Sequence, residues 1–387
     1  MNDGFPEKRK DKWLPPDFIG SAGNGACSIK APDVITDATT FNELLVGARE
    51  NDVSDVHLCS NSPVIFRRHG QLLSLTQENI TLDFLRNMIE PDIDPKHIAK
   101  LEQCGDCEFI HTIEGAGRFR VTLLKQREGW DLTARCIPLS IRSFAESGMP
   151  QACINLTKWS QGLVLVTGPA CCGKSSTLAT LIDTINATRN DHIITIEEPV
   201  ENVYIPKKCQ ITQREVGTHT LSQANALRSA LREDPDIIVV SELRELKSIE
   251  LAVSAAETGH LVFGTMNTNN ATQTVSTLID SFPPEDKSIM TNMISESLRG
   301  VISQRLIPRK DQSGMVPAYE VLLMTTPMAN LIRDEKSEQL TNAMVTGKQS
   351  GMVVLDDSLM DLVQNDIISG KDAYRYATDP ERFKEFL

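Results

Sequence analysis

The sequence predicts an α/β protein in which a parallel-sheet domain follows a smaller α+β domain. Three observations carry this. Between residues 158 and 270, apolar runs of strand length alternate with helix-length segments, as buried parallel strands with crossover helices do. Before residue 140, short strand patterns are separated by polar or Gly-bearing turns, with few helices between them. The 387 residues, 40% hydrophobic and 24% charged, suit two or three globular domains with a large core.

Along the chain, residues 1–38 mix Pro, Gly, Asp and Lys without a period and read as a flexible arm. A domain over 39–140 opens with the helix pattern FNELLVGARE, followed by strands SDVHLC, PVIFRR and QLLSL. Helices near 81–90 and 95–103 come next, then strands CEFIHTI, GRFRVTLLKQ and DLTARCIPL. From Pro138, an irregular stretch over 141–157 reads as a linker. In the larger domain, 158–387, the strands are GLVLVTG, DHIITIEE, PDIIVVSE and HLVFGTM, each expected to lead into a helix. From about 284 the chain reads as mostly helical, apart from a strand at MVPAYEVLLM. No internal repeat or low-complexity segment stands out.

Composition excludes several function classes. The net charge of -13 opposes binding to phosphate backbones, so no nucleic-acid partner is expected. No apolar run approaches membrane-spanning length, and the opening MNDGFPEKRKDK is too charged for a signal peptide, so the expected location is the cytosol. Nine cysteines in such a chain read as reduced thiols. Cys104 and Cys107 form one Cys-x-x-Cys pair, without a second pair at zinc-finger spacing.

Chemistry concentrates in one motif. Gly168, Pro169, Ala170, Cys171, Cys172, Gly173, Lys174 and Ser175 fit G-x-x-x-x-G-K-[ST] between a strand and the helix KSSTLATLIDTI, which Ser176 continues. Loop N–H groups and a helix N-terminus cradle phosphate, the lysine reaches the β and γ phosphates, and the Ser175 hydroxyl ligates magnesium. ATP and Mg2+ are therefore the expected cofactors, and the larger domain is expected to be a RecA-like P-loop core. Hydrolysis also needs carboxylates, and Glu197 and Glu242 end two of the strand runs, where a parallel sheet gathers its ligand.

From residue 40 to the end, these motifs resemble the PilT-like branch of the type II/IV secretion ATPases, the type IV pilus retraction motors. The resemblance is carried by SDVHLCSNSPVIFRRHGQL, by TIEEPVE, and by QREVGTHTLSQANALRSALREDPDIIVVSELRELKSIELAVSAAETGHLVFGT. It continues in NLIRDEKSEQLTNAMVTGKQSGMVVLDDSL. It implies a PAS-like N-terminal domain before a RecA-like motor domain with a helical C-terminal part. It implies that Glu197 orients the attacking water, that Glu242 holds magnesium through a water shell, and that His260 belongs to a His box. It also implies a homohexameric ring, in which Arg118, Arg120, Arg127 and Arg135, with Arg228, Arg232 and Arg244, are candidate arginine fingers completing a shared site. The implied function is a Mg-dependent ATPase doing mechanical work, most simply pilus retraction in twitching motility. It would be cytoplasmic, touching the inner membrane only peripherally through a pilus or secretion platform protein. The ATPase of a type IVB-like secretion system and a weakly hydrolytic nucleotide-binding subunit of a motor ring are the alternatives.

The chain departs from the family pattern at several positions. Ala170-Cys171-Cys172 stands where Thr-Gly-Ser is usual, which places a non-glycine at Cys171, where a positive φ would be costly. Two thiols beside Lys174 and a helix N-terminus suggest depressed pKa values and a redox switch. Glu198 replaces an Asp and Ser241 a Gly. Asn267 stands where a second His-box histidine is usual, and an amide donates a hydrogen bond but never becomes cationic. Of the retraction-associated AIRNLIRE motif, Asn330-Leu331-Ile332-Arg333 are kept, whereas Pro327, Met328 and Ala329 differ.

Overall fold

The computed structural model describes residues 39–387, in two compact units divided in the chain between Leu139 and Ser140. The arm expected over 1–38 lies outside the described residues.

The first unit runs α1 (Phe41–Glu50), β1 (Val53–Cys59), β2 (Ile65–Arg68), β3 (Gln71–Ser74), α2 (Leu82–Ile89), α3 (Pro95–Cys104), β4 (Asp106–Ile113), β5 (Gly117–Gln126) and β6 (Gly129–Cys136). A Thr40–Glu43 capping box starts α1, and Gly105 in the left-handed conformation ends α3. Period-2 alternation on the strands sends Phe119, Val121 and Leu123 of β5 and Trp130, Leu132 and Ala134 of β6 into a core shared with Phe41, Leu45, Leu85 and Ile89 of the helices. The antiparallel sheet, in the order β3-β2-β1-β6-β5-β4, is therefore buried on one face. Asp55, His57, Arg118, Arg120, Thr133 and Arg135 lie at the alternate, polar positions.

The second unit begins with α4 (Phe144–Ser147) and α5 (Gln151–Leu156). These correct the expectation of an irregular linker over 141–157. Met149, Ala152, Cys153 and Leu156 are buried with Val164 and Val166, because this segment supplies apolar side chains to one face of the sheet. There follow β7 (Gly162–Thr167), α6 (Lys174–Thr188), β8 (His192–Glu197), β9 (Gln210–Glu215), α7 (Gln223–Ala230), β10 (Ile237–Val240), α8 (Leu246–Glu257), β11 (Leu261–Met266), α9 (Ala271–Asp280) and α10 (Pro284–Ser297). The chain closes with β12 (Leu298–Pro308), β13 (Met315–Leu323), α11 (Thr326–Arg333), α12 (Leu340–Thr346), α13 (Leu355–Gln364) and α14 (Gly370–Tyr376).

The sheet order is β13-β12-β7-β11-β10-β8-β9, parallel except for the antiparallel edge strand β13. Successive strand residues face opposite layers, which is why the central runs are apolar throughout. Leu163, Leu165, Ile238 and Val240 pack with α7 to α10, while Val164, Val166, Ile237 and Val239 pack with α5 and α6. Each such side chain contributes about 1.5–3 kcal/mol by leaving water.

Two expectations fail in the second unit. DHIITIEE leads through a loop into β9, not into a helix, because β9 is a polar edge strand with no fully buried residue. The segment after 284 is not helical through to MVPAYEVLLM, since β12 inserts beside β7 with most of its residues buried on both faces. No helix among the described residues is long and apolar enough to cross a membrane.

Candidate functional site

The loop from Gly168 to Gly173 leaves the fully buried strand β7 and enters α6. Tight turning demands glycine at both ends of it. Gly168 has φ +144, and a Cβ there would stand 2.3 Å from the Gln304 carbonyl oxygen and 2.6 Å from Cys172 Sγ. Gly173 has φ +91 and caps α6, and a Cβ there would stand 3.1 Å from Gln304 Nε2. Lys174 Nζ lies across its own loop, donating to the carbonyls of Gly168 and Pro169 at 2.9 Å each. Pro169, Ala170, Cys171, Ser175 and Ser176 are exposed at the mouth of the loop.

Cys171 adopts φ +62, so the residue that replaces a family glycine does sit in the left-handed region. For its neighbour Cys172 the expected depression of the thiol pKa does not hold. Cys172 is buried, and that burial raises its thiol pKa against the weaker opposing pull of Lys174, so this thiol is not activated.

Parallel register brings the carboxylates to the same edge. Thr167 pairs with Met266, and Val240 pairs with Gly264, so Glu242 follows β10 level with the end of β7, two strands and about 10 Å away laterally. Asn267, one residue past the end of β11, lies between them. Its Nδ2 donates to Glu242 Oε1 at 2.6 Å. Arg244 grips the same carboxylate with two N–H groups, Nη2 standing 3.0 and 3.1 Å from the two oxygens. Gln223, at the start of α7, holds the Glu242 backbone carbonyl at 2.9 Å. Glu197, at the end of β8, accepts on Oε1 from Thr195 Oγ1 at 2.6 Å and from Gln213 Nε2 at 2.9 Å. Gln213 belongs to β9, paired with Thr195 in register.

His260 is not brought to this edge. It precedes β11, its carbonyl accepts from Gly162 at the start of β7, and its Nδ1 lies 3.0 Å from the Ala255 carbonyl. The six residues of β11, about 20 Å of strand, separate it from Asn267, because the strand runs from His260 toward the loop. Arg228 lies five residues along α7 from Gln223 and donates to Asn225 Oδ1, and Arg232 is exposed beyond that helix, toward the start of β10. Of the three candidates Arg228, Arg232 and Arg244, Arg244 is the one that meets Glu242.

The other four arginines belong to the first unit. Arg118 and Arg120 share the polar face of β5, and Arg135 pairs with Arg120 across β5 and β6. Arg120 meets Glu108, and Arg127, in the turn after β5, meets Glu128. Arg135 reaches the buried Asp55 at 2.7 Å.

Sequence reasoning missed Gln213, Gln223 and Gln304, whose roles arise from strand register and helix placement. It also missed a buried hydroxyl chain beneath the loop. Ser303 and Thr167 lie 2.6 Å apart, Thr274 donates to Thr167 at 3.3 Å, and Thr268 and Thr274 lie 2.6 Å apart.

The family described as type II/IV secretion system protein matches residues 34–375. The chain is 41% identical over 343 residues to the type IV pilus retractation ATPase PilT of Pseudomonas aeruginosa, covering 89% of this chain and 99% of that one. It is 40% identical over 320 residues to a twitching motility protein of Neisseria gonorrhoeae, covering 83% and 85%. A crystal structure of the pilus retraction motor PilT with bound ADP superposes with a TM-score of 0.77 at 39% identity, covering 89% of this chain and 98% of that one.

Proposed function

We propose, from the premise that this chain is a PilT-like ATPase and belongs to the type II/IV secretion system protein family, that it is a hexameric, Mg-dependent motor driving type IV pilus retraction. The observation that carries the reading is the Glu242 carboxylate, held by Arg244 and Asn267 level with the phosphate loop.

The residues suit a nucleoside triphosphate and a divalent cation. A Cβ at Gly168 would clash with the Gln304 carbonyl, so the loop keeps this shape only with glycine there, and the hydroxyl of Ser175 and the carboxylate of Glu242 are the hard oxygen donors that magnesium takes. Ser175 and Glu242 would hold Mg2+, which supplies charge neutralisation at the transferring phosphoryl group. Gly168 to Gly173 would bind the phosphate chain through backbone N–H groups, with the first turn of α6, including Ser176, adding its helix N-terminus. Lys174 carries three donors, two of them resting on its own loop, and would present the third to phosphate oxygen. Glu197, pinned at Oε1 by Thr195 and Gln213, would orient the attacking water and accept its proton.

Arg118, Arg120, Arg127 and Arg135 of the first unit would act from the neighbouring copy, in a ring of identical subunits docked on an inner-membrane platform protein. The retraction reading is supported by the PilT of Pseudomonas aeruginosa, 41% identical over nearly its whole length. ATP turnover by the size-separated oligomer, with and without Mg2+, tests it. Turnover confined to the oligomer and dependent on Mg2+ is expected, and turnover by the monomer at the same rate contradicts a shared site.

A second reading, a nucleotide-binding subunit with slow hydrolysis, is favoured by one observation. Asn267, not a histidine, contacts Glu242, and a preorganised donor missing at the reacting centre costs about 10²-fold. Turnover below about 1 per minute with ordinary ADP affinity would select it, against the ~1–10³ per second typical of enzymes.

A further inference from the structure

We propose that Gln304 is a positioning residue for the nucleotide, setting the conformation of the phosphate loop from a strand position 132 residues after Cys172. The inference deepens the reading of residues 168–175 as a phosphate cradle and rests on it.

The placement follows from β12. Ser303 pairs with Thr167 in the parallel register, and their hydroxyls lie 2.6 Å apart, so the next residue, Gln304, falls beside Gly168 where β7 gives way to the loop. Gln304 is 2% exposed. Its Nε2 donates to the Cys172 carbonyl at 2.6 Å. Gly168 rests against its backbone carbonyl and Gly173 against its side-chain amide, so both loop glycines are shaped around this residue.

The bond to Cys172 fixes more than one atom. A trans peptide is planar, with its C=O and N–H pointing in opposite directions. Drawing the Cys172 oxygen onto Gln304 turns the Gly173 N–H the other way, away from β12. With Cys171 already held at φ +62 and Gly173 at φ +91, this peptide has little other freedom. A series of N–H groups turned to one side is what binds an anionic phosphate.

Gln304 is also an expensive choice for a core position. Its Oε1 is buried without a hydrogen-bond partner. Turning the amide over would set Oε1 against the Cys172 oxygen, acceptor against acceptor, so the orphan is inherent in the contact. A methionine would fill similar volume and remove the orphaned Oε1, but it would leave the Cys172 carbonyl without its donor. The bond to the loop is what the amide adds.

The test is Gln304→Met in the full chain, with Lys174→Ala as a separate variant. It reads thermal unfolding without nucleotide, ADP affinity by calorimetric titration, and steady-state KM and kcat. For Gln304→Met the unfolding midpoint is expected to fall by no more than about 5 °C, since the Cys172 carbonyl loses its donor while the buried Oε1 orphan is removed. ADP affinity is expected to weaken about tenfold and KM for ATP to rise equally, with kcat within about threefold, the pattern of lost uniform binding. Should that variant misfold, Gln304→Asn withdraws the amide by one methylene and is expected to give the same loss of affinity.

Wild-type ADP affinity in a folded Gln304→Met or Gln304→Asn overturns the inference. A lowered midpoint with unchanged affinity would assign Gln304 to the core alone. Failure of the cradle reading itself looks different, because Lys174→Ala would then bind ADP as wild type does.

Discussion

Asn267 Nδ2 stands 2.6 Å from Glu242 Oε1, joining the residue after β11 to the carboxylate after β10. The amide donates one hydrogen bond to a carboxylate that Arg244 also grips, and it does so without adding charge. A histidine at 267 would be able to become cationic and to bond both Glu242 and a developing phosphate charge. Asn267→His is therefore expected to raise ATP turnover about tenfold or more, and Asn267→Leu to lower it by about 10²-fold, with ADP affinity near wild type in both. Steady-state turnover beside ADP titration checks this.

Arg244 makes its contact through Nε and Nη2 of its planar guanidinium, which a lysine cannot reproduce. Both Arg244→Ala and Arg244→Lys are expected to lose at least about tenfold in kcat. Full activity in Arg244→Lys would show that a point charge suffices there.

At Cys171 the backbone lies at φ +62, a conformation that costs an L residue about 1–2 kcal/mol and glycine almost nothing. Cys171→Gly is expected to gain about 0.5–1 kcal/mol, after the larger unfolded-state entropy of glycine is subtracted. Cys171→Val is expected to be less stable than wild type. Denaturant unfolding of the three proteins decides the order.

Glu320 of β13 is buried, and its desolvation raises its pKa, opposed by the backbone N–H groups of Ala271 and Leu355. A carboxyl whose folded pKa lies above its unfolded value adds stability only below the unfolded pKa, and that stability is lost as pH rises through the folded value. At neutral pH, well above the unfolded pKa, the buried carboxyl costs stability. Glu320→Gln keeps an oxygen for Ala271 and removes the charge, so its unfolding midpoint is expected to exceed that of wild type at pH 8. The gain should shrink as pH falls toward 4.5. A difference independent of pH would show that Glu320 does not titrate between the two states.

How much of this was legible in the chain follows from where each signal lives. Strands β7, β8, β10 and β11 announce themselves because both faces are buried, which leaves unbroken apolar runs ending in the loop, Glu197, Glu242 and Asn267. Strand β9 does not, since QITQRE is a polar edge strand, yet it supplies the Gln213 that steadies Glu197. Strand β12 follows α10 directly, and its Arg, Ser and Gln residues break the strand pattern while its apolar spacing suits a helix. Gln304 could not be found locally, because its partner carbonyl lies 132 residues earlier. His260 was placed with the site through the resemblance, whereas the direction of β11 puts it at the opposite edge.

The most direct measurement is ATP turnover by Glu242→Gln alongside wild type, on oligomer isolated by size, with ADP affinity determined for both. Wild-type turnover falling by at least about 10²-fold in the variant, while ADP binds as before, is the result expected of a carboxylate needed only at the reacting centre. Equal turnover in the two proteins would contradict the assignment of catalysis to this edge of the sheet.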